Sequence, residues 1–145
     1  MHENYLQMAI KWIIIYLRYL YYGCEDSDGS VKGVNDMRDI QKLVRSLGIG
    51  GNYQGYRYLL YALSLCLQNE DYLLSVSKLL YPEIAHTYQT SASSVERNLR
   101  TVVSVCWERG NRPLLESISL CPLSSKPTIG EFLDILTEYL KDSAK

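Results

Sequence analysis

Residues 84–99, IAHTYQTSASSVERNL, decide the fold, because they carry the spacing of a helix-turn-helix. Ile84, Ala85 and Tyr88 give a short helix one apolar face, with a small residue where a second helix must cross closely. Gln89, Thr90 and Ser91 then break the pattern. Ser91 is a good N-cap, since its hydroxyl can accept from one of the orphan N–H groups that open a helix, and the next helix is predicted to start near Ala92. From there Val95, Leu99, Val102, Val103 and Cys106 recur at helical spacing and are expected to face the core.

The opposite face carries Ser93, Arg97, Arg100 and Ser104, with Ser94 and Glu96 beside its N-terminal end. In a helix-turn-helix the start of the second helix enters the major groove, where Arg can bond guanine through two hydrogen bonds and Glu can accept from cytosine N4. Two plainer readings of the same residues stay open. Ser93-Ser94-Val95-Glu96 also fits a capping box, and Arg97 and Arg100 also fit a solvated surface.

Three separated stretches carry a family resemblance: LGIGGNYQGYRYLLYAL (residues 47–63), LLYPEIAHTYQTSASSVERNLRTVVSVCWERGN (residues 79–111) and KPTIGEF (residues 126–132). In this order they resemble the DNA-binding effector domain of the sporulation master response regulator of endospore-forming bacteria, over residues 36–140 or so. The resemblance implies an all-α, compact multi-helix bundle in the winged-helix-like superfamily, without an obvious wing. It also implies base reading by the run Ser93-Ser94-Val95-Glu96-Arg97, with Ser93, Ser94, Glu96 and Arg97 as the readers.

Two departures stand out against that family. Its first arginine in the run is replaced by Ser94, which cannot make the paired guanine contact worth about 1–3 kcal/mol of discrimination, so specificity should be altered or relaxed relative to the family's TGNCGAA-like box. Residues 112–125, near which the resemblance puts contacts with RNA polymerase sigma factor, form a shorter stretch than the family usually has. Flanking or backbone contacts with DNA are expected from Thr90, Ser91, Arg100, Lys126 and Thr128. Lys126 and Thr128 also fit a solvated lysine before an ordinary capped helix.

At 145 residues and 47% hydrophobic composition, the chain can bury one ordinary core. Its formal net charge of -1 sets up no global field for nucleic acid, so any attraction must be local. Between residues 78 and 126 the six cations Lys78, Arg97, Arg100, Arg109, Arg112 and Lys126 outnumber the carboxylates Glu83, Glu96, Glu108 and Glu116. Binding outside a specific site should therefore be weak and salt-sensitive.

Cys24, Cys66, Cys106 and Cys121 show no metal-ligand spacing, and the apolar setting of Cys66 and Cys106 suits a reducing cytoplasm rather than a disulfide framework. His2 and His86 are the only histidines, and no nucleophile-base pair or phosphate loop accompanies them, so neither an enzyme, a cofactor nor a small-molecule substrate is expected. Of the 13 tyrosines, Tyr56, Tyr58, Tyr61 and Tyr88 are expected in or at the edge of the core rather than as base-stacking platforms.

Elsewhere the periodicity is helical too. Ile40, Leu43, Val44 and Leu47 form a stripe ended by Gly48 and the Gly50-Gly51 pair, and residues 56–67 read as a central helix. Residues 73–80 read as one further helix, Pro82 fits the first turn of the next, Gly110-Asn111 is a stop, and residues 114–120 read as a short helix. After a loop bracketed by Pro122 and Pro127, Thr128 caps a final helix with Phe132, Ile135, Leu136 and Tyr139 inward.

Residues 1–35 fall outside the resemblance, which leaves 36–145 as the effector domain. Residues 8–22, MAIKWIIIYLRYLYY, form the most apolar stretch, yet they are too short for a membrane span of about twenty apolar residues and lack the flanks of a signal peptide. Packing on the domain or on a second copy is expected, with a membrane-surface role or an upstream extension as alternatives. The family's receiver domain is far longer than those 35 residues, so control by phosphorylation of this chain is not expected. The reading that leads is a sequence-specific DNA-binding transcription regulator of double-stranded DNA, pairing on tandem sites. The alternative is an interaction module that keeps the fold and titrates a regulator or sigma factor.

Overall fold

A computed structural model describes residues 37–143, and residues 8–22, the acidic stretch after them and Cys24 lie outside the described part. Seven α-helices are present among the described residues, and no strand: α1 (Met37–Ser46), α2 (Gln54–Gln68), α3 (Asp71–Leu74), α4 (Tyr81–Tyr88), α5 (Ala92–Glu108), α6 (Arg112–Ile118) and α7 (Ile129–Ser143), with a π-helical turn at Val76–Leu80 between α3 and α4. The all-α bundle read from the sequence is what forms.

Helices α2 and α5 make the centre. Leu59, Ala62, Leu63 and Cys66 of α2 and Val95, Leu99, Val102 and Cys106 of α5 are all buried, as the helical spacing predicts. Each fully buried leucine contributes about 1.5–3 kcal/mol of transfer free energy. The two helices approach so closely at Gly55 that a Cβ there would lie 2.3 Å from the Asn98 carbonyl oxygen, so only glycine fits the crossing. Around this pair, α1 closes one side of α2 with Ile40, Leu43 and Val44, α4 covers α5 with Ile84 and Ala85, and α7 packs Phe132, Leu133 and Leu136 against α2 and α5.

Gly48 takes φ +87° after α1, the left-handed cap expected of it. The same loop meets the end of α5: a Cβ on Gly48 would stand 2.7 Å from the Gly110 Cα. Asn111 fastens the junction by giving its N–H to the Leu47 carbonyl (2.9 Å) and its side-chain amide to the Ser46 carbonyl (3.2 Å), while its Oδ1 accepts from the Leu114 N–H (3.1 Å) and so caps α6. One side chain thereby satisfies the open carbonyl end of α1 and the open amide end of α6.

Three expectations are corrected. Tyr139, read as facing the core, is 39% exposed, because the buried stripe of α7 runs through Phe132, Leu133, Leu136 and Leu140 and leaves it at the edge. Residues 73–80 do not form one helix: α3 ends at Leu74, Ser75 turns to φ -140° and ψ 64°, and a π-helical turn follows. The apolar residues here do not keep one face, and Leu74 is left 83% exposed. The short helix expected at residues 114–120 instead runs Arg112–Ile118, because Pro113 suits its first turn and the Asn111 cap starts it earlier.

Candidate nucleic-acid interface

The first helix of the motif, α4, ends in a left-handed residue. Gln89 has φ 53° and ψ 52°, and beyond it the Thr90 N–H reaches the Ala85 carbonyl at 2.9 Å. This is a Schellman-type stop, built on glutamine where glycine would be free of the Cβ penalty. Ser91 then caps α5: its hydroxyl accepts the Ser94 N–H at 3.1 Å, and helix starts at Ala92. The helical path therefore breaks over Gln89, Thr90 and Ser91, as the sequence pattern predicts.

Tyrosines brace the turn from behind. Tyr88 meets Tyr58 edge-on at 5.1 Å and Tyr61 at 6.0 Å, and the Thr87 hydroxyl donates to the Tyr61 oxygen at 3.1 Å. Tyr56, Tyr58 and Tyr61 are buried and Tyr88 is half-buried, in keeping with a core or boundary role. Burial pushes the Tyr88 phenol up to about 12, so it remains a neutral donor at any working pH.

The exposed face of α5 is arranged around Arg97. That side chain is exposed and pairs with no carboxylate among the described residues. Glu96 and Arg100 form an ion pair one turn apart, and both are substantially solvated, so the pair stabilises by about 0.5 kcal/mol or less. Both charges act on Tyr81, whose phenol is raised first by burial and next by the Glu96 charge, with Arg100 opposing. Glu96 thus faces Arg100 instead of reaching back, and the capping-box alternative built on Ser93 is not the arrangement formed: the cap belongs to Ser91.

Ser93 is exposed beside Arg97, whereas Ser94 is half-buried and accepts from the Asn98 amide, at 2.8 Å on its carbonyl and at 3.4 Å on its hydroxyl. Thr90 is half-buried in the turn. Lys126, 22 residues beyond Ser104, comes back to α5 and donates to the Ser104 hydroxyl at 3.0 Å. Thr128 opens α7 in a reciprocal capping box with Glu131, accepting the Glu131 N–H at 3.2 Å while its own N–H points to the Glu131 carboxylate at 3.4 Å.

A shallow concavity of about 270 Å³ runs along this face past Arg97, Arg100, Ser104 and Arg109, with Glu108 as its acid. The structure thus gathers Ser93, Arg97, Arg100 and Lys126 on one side, and engages Ser91, Ser94 and Thr128 in local hydrogen bonds. Sequence reading did not anticipate the Lys126–Ser104 contact, because a loop residue and a helix residue so far apart share no local signal.

The buried thiols take no part in this surface. Burial raises Cys66 to about 12 and Cys106 to about 11, which keeps both protonated. No helix among the described residues is long and apolar enough to cross a membrane. Residues 40–140 match the family model for the sporulation initiation factor Spo0A C terminal, so the chain belongs to that family of DNA-binding effector domains in sporulation and transcription regulation.

Proposed function

We propose that the chain is a sequence-specific transcription regulator that reads a short box in double-stranded DNA with the first turns of α5. Arg97 and Glu96 are the principal base readers, Ser93 and Ser94 contact the same edge, and Arg100, Lys126, Thr90, Ser91 and Thr128 hold the flanking backbone. The observation that carries this reading is the exposed Arg97 guanidinium, which pairs with no carboxylate among the described residues and sits in the second turn of a capped, tightly packed helix. A free guanidinium on a rigid helix enters the groove with its donors available and little ordering cost.

Lys126 supports the same reading through distance. Ser104, its partner, lies seven residues past Arg97, about 10 Å along a helix axis, and the major groove is about 12 Å wide. A residue reading bases at one end therefore leaves Lys126 near a phosphate strand. Tandem pairing on adjacent boxes belongs to this proposal. So does a sigma-factor contact on α6 and the loop after it, where Arg112 stacks 3.6 Å from the centre of the Trp107 ring and pairs with Glu116.

One observation favours the second reading, an interaction module without base readout. The Ser94 side chain is occupied by Asn98 and half-buried, so one position of the reading run is turned inward. Fluorescence anisotropy with a duplex carrying tandem TGNCGAA-like boxes and with a scrambled duplex, across a salt series, separates the two. Preference for the boxes, reduced by about 1–3 kcal/mol in Arg97→Ala, is the expected result. Equal binding to both duplexes, unaffected by Arg97→Ala, would turn the search to a protein partner.

A further inference from the structure

The exposed face of α5 carries more positive charge than its own neighbours cancel. Arg97, Arg100 and Arg109 line one shallow concavity along it, and Glu108 is the one carboxylate of that lining. Lys126 adds a further cation by donating to Ser104, which belongs to the same lining. Among the described residues, only Arg100 of these cations has a carboxylate within ion-pair distance, that of Glu96. The complementary charge stands elsewhere in the chain. Glu25, Asp26 and Asp28, in the stretch EDSD (residues 25–28), are the densest run of carboxylates in the sequence, and no cation lies within three residues of them.

The way α1 is tied to α5 puts these carboxylates within reach of that face. At the end of α1 the Ser46 and Leu47 carbonyls accept from Asn111 at 3.2 and 2.9 Å. Arg109 stands two residues before Asn111. Met37, where α1 starts, is therefore one ten-residue helix, about 15 Å, away from the Arg109 end of the concavity. Asp28 precedes Met37 by nine residues, and that length of extended chain spans about 30 Å. The reach exceeds the gap, so Asp28 can meet Arg109, with Asp26 and Glu25 carried on toward Arg100.

We propose that residues 25–28 dock on the exposed face of α5 as a tethered mimic of DNA phosphates, so that the chain covers its own reading surface until a duplex displaces them. The proposal rests on the DNA-binding reading above for its consequence, while the docking itself is measured without DNA. A carboxylate takes the same fork of guanidinium donors that a phosphate takes. Each solvated pair is weak, but the tether supplies the partners at about millimolar effective concentration. Salt screens such pairs, so the docking belongs to low ionic strength.

The test uses the full chain as Cys121→Ser with a nitroxide on Cys24, the residue before Glu25; the buried thiols of Cys66 and Cys106 stay protonated and unlabelled. At low salt and without DNA, the label should broaden the amide signals of Arg97, Arg100 and Arg109 more than those of the exposed Leu74 and Leu79. The broadening should vanish at high salt and in the triple variant Glu25→Gln, Asp26→Asn, Asp28→Asn. That variant should also bind the box and scrambled duplexes several-fold more tightly than wild type at low salt, with the gain lost at high salt. Broadening that is absent from α5, is centred on Leu74 and Leu79, or survives the triple variant would overturn the docking. Broadening of unlabelled chains mixed with labelled ones would place the contact between copies and overturn it too. Equal duplex affinities in wild type and triple variant would overturn the competition with DNA. Selective broadening in a chain that binds neither duplex, as wild type or as triple variant, bears out the docking and defeats the DNA-binding reading. Box preference without the broadening defeats this inference alone.

Discussion

Helix α5 with its turn, and the segment from Asp71 to Leu80, are both apolar stretches introduced by polar residues, yet they fold in opposite ways. Ser91 gives α5 a side-chain cap, and six of its residues are buried on one stripe. Neither Glu70 nor Ser75 caps with its side chain, α3 buries none of its four residues, and the chain passes into a π-helical turn of which only Leu80 is buried. The lesson concerns phase. Apolar residues at 95, 99, 102, 103 and 106 return to one face every turn, whereas Tyr72, Leu73, Leu74, Leu79 and Leu80 do not, so the second stretch can be helical only in pieces.

The largest test of this contrast is a pair of leucines. Leu99→Ala should destabilise the domain by about 2–5 kcal/mol in chemical denaturation, because the side chain is 1% exposed and leaves a cavity between α5 and α2. Leu74→Ala, at 83% exposure, should change stability by no more than about 0.5 kcal/mol. Similar losses from the two would mean that α3 carries more of the core than its exposure implies.

Next in size is the cap. Removing the Ser91 hydroxyl in Ser91→Ala should cost about 1 kcal/mol and fray the first turn of α5, read as lost amide protection at Ser94. The same change at Ser75, which caps nothing, should leave exchange in the π-helical turn as it was. Gln89→Gly sharpens the comparison from the opposite side. Relief of the left-handed strain, less the entropy that glycine adds to the unfolded chain, should stabilise by about 0.5–1 kcal/mol, seen as a raised midpoint.

The smallest effect is a pH dependence confined to the second region. Lys141 pairs with Glu70, and the hydrogen bond and charge of that lysine hold the Glu70 carboxyl below its ordinary range. A carboxyl lowered on folding stabilises fully above its unfolded pKa, and the contribution disappears as pH falls through the folded value. Thermal midpoints of Glu70→Gln and wild type should therefore differ slightly near neutrality and converge in acid. A gap that persists once the carboxylate is protonated in strong acid would assign the difference to something else.

The same contrast explains what the sequence could tell in advance. Boundaries marked by side-chain chemistry were legible: Ser91 before α5, Thr128 before α7, Gly48 after α1. The break at Ser75 was not, because only the competition of several faces for one core makes a continuous helix unfavourable there. Among the candidate site residues, Arg97 and Arg100 were legible from the helix period. The Lys126–Ser104 contact was not, since it depends on how the last loop comes to lie beside α5.

One consequence follows from the knot at Asn111. The start of α5 is fastened by Ser91, and its end is pinned through Gly110 and Asn111 to the carbonyls that close α1. A rod gripped at both ends cannot slide along its own axis. The spacing between Arg97 and α1 is thus a set length, and the molecule acts as a ruler whose zero mark is built in before it meets any template.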